Sequence, residues 1–466
     1  MKKKIRIYEN LEITDLNSEG LGVTRVNEKV VFVKQALPHE LVDVHVYKKK
    51  KKILYGQVIK YKKTSQDRVI PKCKHFGECG GCKLQFLAYE QQLYYKEKRV
   101  IENIKRIGKL IPEKVLAIMA SPKIFEYRNK LEFTFSDKRW ITRKEIDDNL
   151  EINNRNALGF HVAGRFDKVI DIDTCYLQTD IINQIRNKIR DFSLKNGLSF
   201  YNLTAQKGFL RNLIFRTTLT GELMLAFSFA ENDVAKIETI LDFTMNEFPM
   251  ITTLLYFVNT KKNDSLYDID YKVVKGKGFI TEVLDGIYFK IGPKSFFQTN
   301  SFQILNLYRK IKELAEFRGN ELVYDLYTGT GSIALFIARN IKRVIGVDSV
   351  PEAITDAMEN AKLNDIANAE FLVGDMRDVF TQDFIATHGK PDVIIIDPPR
   401  AGMHHKVIEN ILFAAPEKII YVSCNSSTQA RDLLLMSEKY ALSIIQPVDM
   451  FPQTPHIENI ALLIKK

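Results

Sequence analysis

The chain has 466 residues, 45% of them hydrophobic, with a formal net charge of +11 and five cysteines. That length allows two or three domains around a large core, and ordinary Gly and Pro usage excludes a disordered or collagenous chain. The basic start MKKKIRIYEN has no apolar stretch behind it and no apolar run approaches a membrane span, so a cytoplasmic protein without a membrane role is expected.

Residues 1–62 carry fourteen Lys/Arg against seven Asp/Glu, densest from Lys48 to Lys52. A lysine run is often only a solvated loop. A basic module on an otherwise nearly neutral chain instead favours a polyanionic partner, held by salt-sensitive phosphate contacts. IRIYENLEITDL, EKVVFVKQAL, ELVDVHVYK and YGQVIKYKK read as short Val/Ile/Tyr-rich strands separated by turns. Residues 1–64 are therefore expected to form a small β-barrel. This segment resembles a TRAM domain, an RNA-binding barrel of RNA-modifying enzymes.

The segment 65–284 opens with PKCKHFGECGGCKLQ, where Cys73, Cys79 and Cys82 form C-x5-C-x2-C; Cys175 lies far downstream in DIDTCYLQ. Together they make a four-thiolate set suited to one metal centre, not a disulfide framework. Apolar residues at helical spacing then predict a helix over about 90–118, with a basic face, which can pack on a later domain. Residues 120–280 read as mixed α+β. IFEYRNKLEFTF and FLRNLIFRTTLTGELMLAFSF are strand-like, TDIINQIRNKIRDFSLKNG is helical, and KRWITRKEIDDNLEINNRN is a polar excursion. Tyr127, Arg128, Lys130, Arg211 and Arg216 are this segment's candidates for stacking and phosphate contacts.

From about residue 285 to 466, strand and helix alternate. ELVYDL, RVIGVD, AEFLVG, DVIIID, KIIYVS, ALSIIQPV and NIALLIK give seven strands, with helices such as PEAITDAMENAKLN between them. The pattern predicts an α/β, Rossmann-like seven-stranded sheet with ligands at the carboxyl ends of its strands. ELVYDL runs into Tyr327-Thr328-Gly329-Thr330-Gly331-Ser332, where small residues let the backbone approach a ligand at a helix start. Asp348 ends the next strand, placed to take a ribose. Gly329-Thr330-Gly331 followed by Ala334 also fits a dinucleotide fingerprint, leaving NAD as an alternative. Asp325 before the loop, Asp375 after the third strand and Asp397 in the DPPR turn favour a cationic nucleoside, S-adenosylmethionine, over a pyrophosphate.

Cys424 follows KIIYVS, at a strand end beside that cleft. A lone cysteine is often an inert buried hydrophobe. Here a nucleophile is called for if the methyl acceptor is an unactivated carbon: sulfur on C6 of uracil makes C5 able to attack a methyl group. A base must then take the C5 proton, and Glu458 in PHIENIALLI is the candidate, ahead of neighbouring His456. The DPPR turn leaves a nitrogen-methylating enzyme as an alternative that needs no thiol.

DLYTGTG, IGVD, DPPRAG, YVSCN and PHIE occur in the order, and at roughly the spacing, of RNA uracil-C5 methyltransferases, which the chain resembles over nearly its whole length. The resemblance implies S-adenosylmethionine as methyl donor, bound with Gln298 (in IGPKSFFQTN), Tyr327, Asp348, Asp375 and Asp397. It makes Cys424 the nucleophile and Glu458 the proton acceptor. It assigns Cys73, Cys79, Cys82 and Cys175 to the [4Fe–4S] cluster of the family's ribosomal branch, with zinc open because four thiolates suit both. Barrel and cluster together tilt the expected substrate toward 23S rRNA, with tRNA the alternative; a monomer without an obligate protein partner is expected. A non-catalytic iron–sulfur RNA-binding protein fits the complete catalytic set poorly. Two departures stand out: Ser426 where Pro often follows the Cys-Asn pair, and Ser332 where some relatives carry Asn.

Overall fold

The computed structural model describes residues 6–466, apart from the side chain of Lys144; Lys2, Lys3 and Lys4 of the basic start lie outside the described residues. The N-terminal strands Arg6–Glu12, Asp15–Leu16, Gly22–Val26, Lys29–Lys34, Leu41–Lys50 and Ile53–Lys63 form one six-stranded sheet. Alternation along the strands turns Val31, Val33, Val42, Val44 and Leu54 into one small core. Lys48–Lys52 occupy the exposed end of the hairpin between the last two strands.

The central domain is a seven-stranded sheet running from Val169–Asp171 at one edge to Tyr271–Lys275 at the other. Helices Asp180–Lys195 and Val234–Glu247 cover one face. Ile182, Ile185 and Ile189, spaced for one helix face, meet Phe133, Phe215, Phe227 and Phe229 there. The polar excursion leaves the sheet between Lys130–Ser136 and Ala157–His161. A separate hairpin, Ile280–Leu284 with Ile287–Ile291, straddles residue 285 and shares its core with helix Ser301–Ala315.

The C-terminal sheet contains β1 (Leu322–Leu326), β2 (Arg343–Asp348), β3 (Ala369–Val373), β4 (Val393–Ile396), β5 (Lys418–Ser423), β6 (Tyr440–Val448) and β7 (Glu458–Lys465), in the spatial order β3-β2-β1-β4-β5-β7-β6. Strands β1 to β5 are parallel, and β7 inserts antiparallel between β5 and β6. Continuous Val/Ile runs such as VIII in β4 suit strands buried on both faces. Chain reversal in order at β1 and β4 opens the crevice where such sheets take ligands.

The helix read over 90–118 is shorter: it spans Tyr89–Arg106, and Lys114–Val115 is instead an eighth strand, parallel to β6. The reason is Gly108, whose bare Cα lets the chain turn back within reach of the Ile104 and Ala430 carbonyls, followed by Pro112. Helix Tyr89–Arg106 packs on helix Ser426–Met436, with Val100 and Ile104 entering the core of the C-terminal sheet. Among the described residues, no helix is long and apolar enough to cross a membrane.

Candidate active site

The loop after β1 is built for close approach. Tyr327, Gly329 and Gly331 all have positive φ, at 65°, 56° and 73°. A Cβ on Gly331 would lie 2.8 Å from the Phe371 ring and 2.9 Å from Ala357, so only glycine fits this left-handed position. Tyr327 adopts the same region at a cost that such ligand loops commonly carry. Asp325 braces the loop from below: Thr328 Oγ1 (2.6 Å) and the Ala334 amide (3.2 Å) donate to its Oδ2. Asp348 Oδ2 accepts from the Gly329 amide (3.0 Å) and Oδ1 from Val350 (2.9 Å).

Acidic side chains thus line the carboxyl ends of β1, β2, β3 and β4. Burial raises the Asp325 carboxyl to about 7, and Asp397 is pushed up by burial and by Asp325 itself. Oδ1 of Asp325 is buried with no hydrogen-bond partner among the described residues. A buried carboxyl with a half-buried one beside it suits a cationic ligand, which would restore their charge. Asp375 differs. It caps the short helix Met376–Val379 at the exposed rim, with both oxygens on Arg377, which holds it down to about 2.

Cys424 and Glu458 come together through register. Ser423 of β5 pairs with Asn459 of β7, so the next residues outward, Cys424 and Glu458, face each other just beyond the ladder. Neighbouring strands lie about 5 Å apart. Burial raises the Cys424 thiol to about 11, Glu458 and Asp397 reinforce the rise, and Arg400 opposes it. Glu458 is buried and held well above its usual range by burial and Asp397, again opposed by Arg400. His456 is exposed on the same strap, and burial of its ring together with Arg400 pushes it down to about 4. The pair can therefore supply a thiol for addition and a carboxyl for proton exchange.

Several residues that hold this geometry were not singled out in the sequence. Asp432, fully buried, accepts from Tyr421 Oη (2.7 Å) and the Met403 amide (2.9 Å). Asn425 Nδ2 and Thr428 Oγ1 donate to the Arg400 carbonyl at 2.9 and 3.2 Å. These contacts lash the DPPR turn to helix Ser426–Met436 and keep Arg400 near Cys424. Ser426 begins that helix and accepts from Asn103 Nδ2 at 2.8 Å; Ser332 pairs with Tyr308 Oη at 2.6 Å. Both departures are thus engaged in packing contacts. Gln298 stands in the segment above the glycine loop, where Asn129 of the central domain donates to its carbonyl (2.9 Å) and Thr330 Oγ1 reaches the Phe296 carbonyl (3.4 Å).

Three of the proposed RNA contacts are corrected. Tyr127, Arg211 and Arg216 are buried. Tyr127 Oη donates to the Pro452 carbonyl, Arg211 to Asp264 and three carbonyls, and Arg216 to the Ser295 carbonyl. They are internal fasteners. Arg128 and Lys130 remain partly exposed, with Lys130 lowered to about 8 by burial and by Arg216.

Cys73, Cys79, Cys82 and Cys175, 102 positions apart in sequence at the extremes, line one cavity of about 310 Å³ with Arg128, His161 and Phe160. Burial raises all four thiols, Cys79 and Cys82 to about 12. Among the described residues, no three His, Cys, Asp or Glu side chains converge on a point that could hold one metal ion.

The strand order, the antiparallel β7, the glycine loop and the acidic strand ends define a class I S-adenosylmethionine-dependent methyltransferase. Comparisons make this specific. The family model for tRNA (uracil-5-)-methyltransferase matches residues 269–466, and the TRAM model matches residues 2–59. An uncharacterized RNA methyltransferase of Bacteroides thetaiotaomicron is 50% identical over 96% of this chain and 99% of its own. One from Staphylococcus aureus is 34% identical over 97% and 96%. The crystal structure of Pyrococcus abyssi tRNA (uracil-54, C5)-methyltransferase with S-adenosyl-L-homocysteine superposes with TM-score 0.76 and 31% identity, covering 98% of this chain and all of that one. The chain belongs to the RNA uracil-5-methyltransferase family and carries an N-terminal TRAM domain.

Proposed function

We propose that the protein methylates C5 of a uridine in a folded RNA, with Cys424 as nucleophile and Glu458 as base. The observation that carries this reading is the register that sets Cys424 against Glu458 at the end of the acid-lined cleft. The base must first leave its stack. S-adenosylmethionine supplies an electrophilic methyl group on a cationic sulfur. Cys424 Sγ, as thiolate, bonds to C6, and the C5=C6 electron pair moves to C5. C5 takes the methyl group as its bond to the donor sulfur breaks, leaving S-adenosylhomocysteine. Glu458 then accepts the C5 proton, the C5=C6 bond re-forms and the C6–S bond breaks, freeing Cys424. Asp348, Tyr327 and Gln298 suit the nucleoside, and Asp325 and Asp397 suit the donor's positive charge. Asp375, with both oxygens on Arg377, contributes at the rim. A nitrogen methylation through DPPR would leave the Cys424–Glu458 pair without a task.

For substrate, 23S rRNA is the first reading, from the combination of TRAM domain and four-cysteine cavity. The second is tRNA, because the Pyrococcus relative, whose named activity is on tRNA, matches over 98% of this chain, so full-length architecture by itself does not discriminate. The cysteine cavity fits a [4Fe–4S] cluster better than zinc. Thiols around a cavity, with no close convergence, suit a bulky cluster; zinc draws four sulfurs to about 2.3 Å of one point. Arg128 at the cavity and buried Arg186 beside Cys175 would offset the negative charge of four thiolates. Anaerobically purified protein should therefore contain iron and acid-labile sulfide, and zinc alone would overturn this assignment. The test of function is methyl transfer to 23S rRNA fragments and to tRNA transcripts, followed by nucleoside analysis. 5-Methyluridine supports the reading and the accepting RNA names the substrate; a methylated nitrogen rejects it.

A further inference from the structure

The strap Asp449–Ile457 delivers Glu458 to the cleft, and most of its fastenings come from outside the catalytic sheet. Asp449 is fully buried; Lys96 Nζ donates to its Oδ1 (2.6 Å) and to the Phe451 carbonyl (3.1 Å), while Tyr89 Oη donates to its Oδ2 (2.9 Å). Gln92 and Gln453 bond reciprocally: Gln92 Oε1 accepts from the Gln453 amide (3.0 Å) and its Nε2 donates to Gln453 Oε1 (3.1 Å). The Lys83 and Leu84 amides, next to Cys82, both donate to the Gln453 carbonyl, at 2.9 and 3.0 Å. Arg99 holds the Pro455 carbonyl, Tyr127 that of Pro452, and Asn300 that of Met450. A nine-residue connection between two strands, without secondary structure of its own, is thereby held at nearly every step.

We propose that Tyr89, Gln92 and Lys96, with Asp449 and Gln453, are positioning residues for the proton-abstraction step, so that the segment from the cysteine loop through helix Tyr89–Arg106 sets the reach of Glu458. This rests on Glu458 being the base. Cys424 is carried by β5 and clamped through Asn425 and helix Ser426–Met436, so addition to C6 and methyl transfer do not depend on the strap in the same way. Removal of the C5 proton does, because a base displaced by an ångström loses much of its rate.

The two stages separate by experiment. On ordinary RNA, Tyr89→Phe and Gln92→Met holoenzymes should form the methylated Cys424–RNA adduct at the wild-type rate but resolve it about tenfold more slowly, so that the adduct accumulates on a denaturing gel. Glu458→Gln is run beside them and should accumulate the same adduct. If Glu458→Gln accumulates it and the strap variants turn over normally, or lose adduct formation and turnover together, the positioning role is wrong. If Glu458→Gln accumulates nothing while still folding, the base assignment itself fails. Lys96→Arg, which keeps the charge on Asp449, should accumulate less adduct than Lys96→Met; equal accumulation would also count against the role.

Discussion

Cys424 stands between opposed charges, and its reactivity depends on which of them wins. Burial, Glu458 and Asp397 all favour the neutral thiol; Arg400 alone among its charged neighbours favours the thiolate. Arg400→Gln should therefore cut alkylation of Cys424 at a fixed, mildly alkaline pH about tenfold, the effect of one pKa unit, while Arg400→Lys retains most of it. An unchanged alkylation rate in Arg400→Gln would remove this role. The Asp325–Asp397 pair, the first buried and the second half-buried, gives a second consequence. A carboxyl raised from 3.8 to about 7 on folding favours the native state fully below its unfolded pKa and loses that contribution as pH rises through its folded pKa. Ligand-free Asp397→Asn protein should accordingly gain thermal stability relative to wild type between about pH 5 and about pH 8, and S-adenosylmethionine should shrink the gap. Melting curves across pH, with and without the donor, check it. The strand-end positions of Cys424, Glu458 and the acidic residues are legible in the sequence because the apolar runs that precede or follow them mark the strands. Asp432 and the lashing of Arg400 were not, since side chain to backbone clamps leave no periodic trace.

Helix Tyr89–Arg106 illustrates what pattern can and cannot tell about an element. Its apolar spacing is plain in the sequence, yet its end is not, because Ile107, Leu110 and Ile111 continue the hydrophobic rhythm past Gly108. Nothing in the pattern reveals that Lys96 is buried against Asp449, 353 positions away. That pair is 2% and 0% exposed, where losing one partner costs about 3–5 kcal/mol and replacing both with apolar groups is far milder. Asp449→Leu alone should destabilise the protein by that amount, and Lys96→Met with Asp449→Leu should recover most of it in chemical denaturation. Equal destabilisation by the single and double variants would show that the pair is not what anchors the helix. The seven strands β1 to β7, by contrast, are all legible, because short Val/Ile/Leu runs mark buried strands without tertiary information, whereas the antiparallel insertion of β7 between β5 and β6 leaves no such mark.

For the whole molecule, charge is concentrated where the TRAM domain presents Lys48–Lys52 on an exposed hairpin end. If these lysines meet phosphates, changing three of them to Gln should lower the slope of log affinity against log salt by about 2–3, at roughly 0.7–0.9 per contact. Methyl transfer to a saturating short RNA should be little altered, and an unchanged salt slope would move the RNA surface elsewhere. The way residues 80–130 brace the strap before Glu458 is not legible in the sequence, because it joins segments over 320 positions apart. The central claim, carbon methylation through Cys424, is tested most directly with RNA carrying 5-fluorouridine, whose fluorine cannot leave as a proton. With S-adenosylmethionine present, a methylated RNA adduct should be trapped on Cys424 and be absent from Cys424→Ala. Methyl transfer to unsubstituted RNA with no trapped adduct would contradict it.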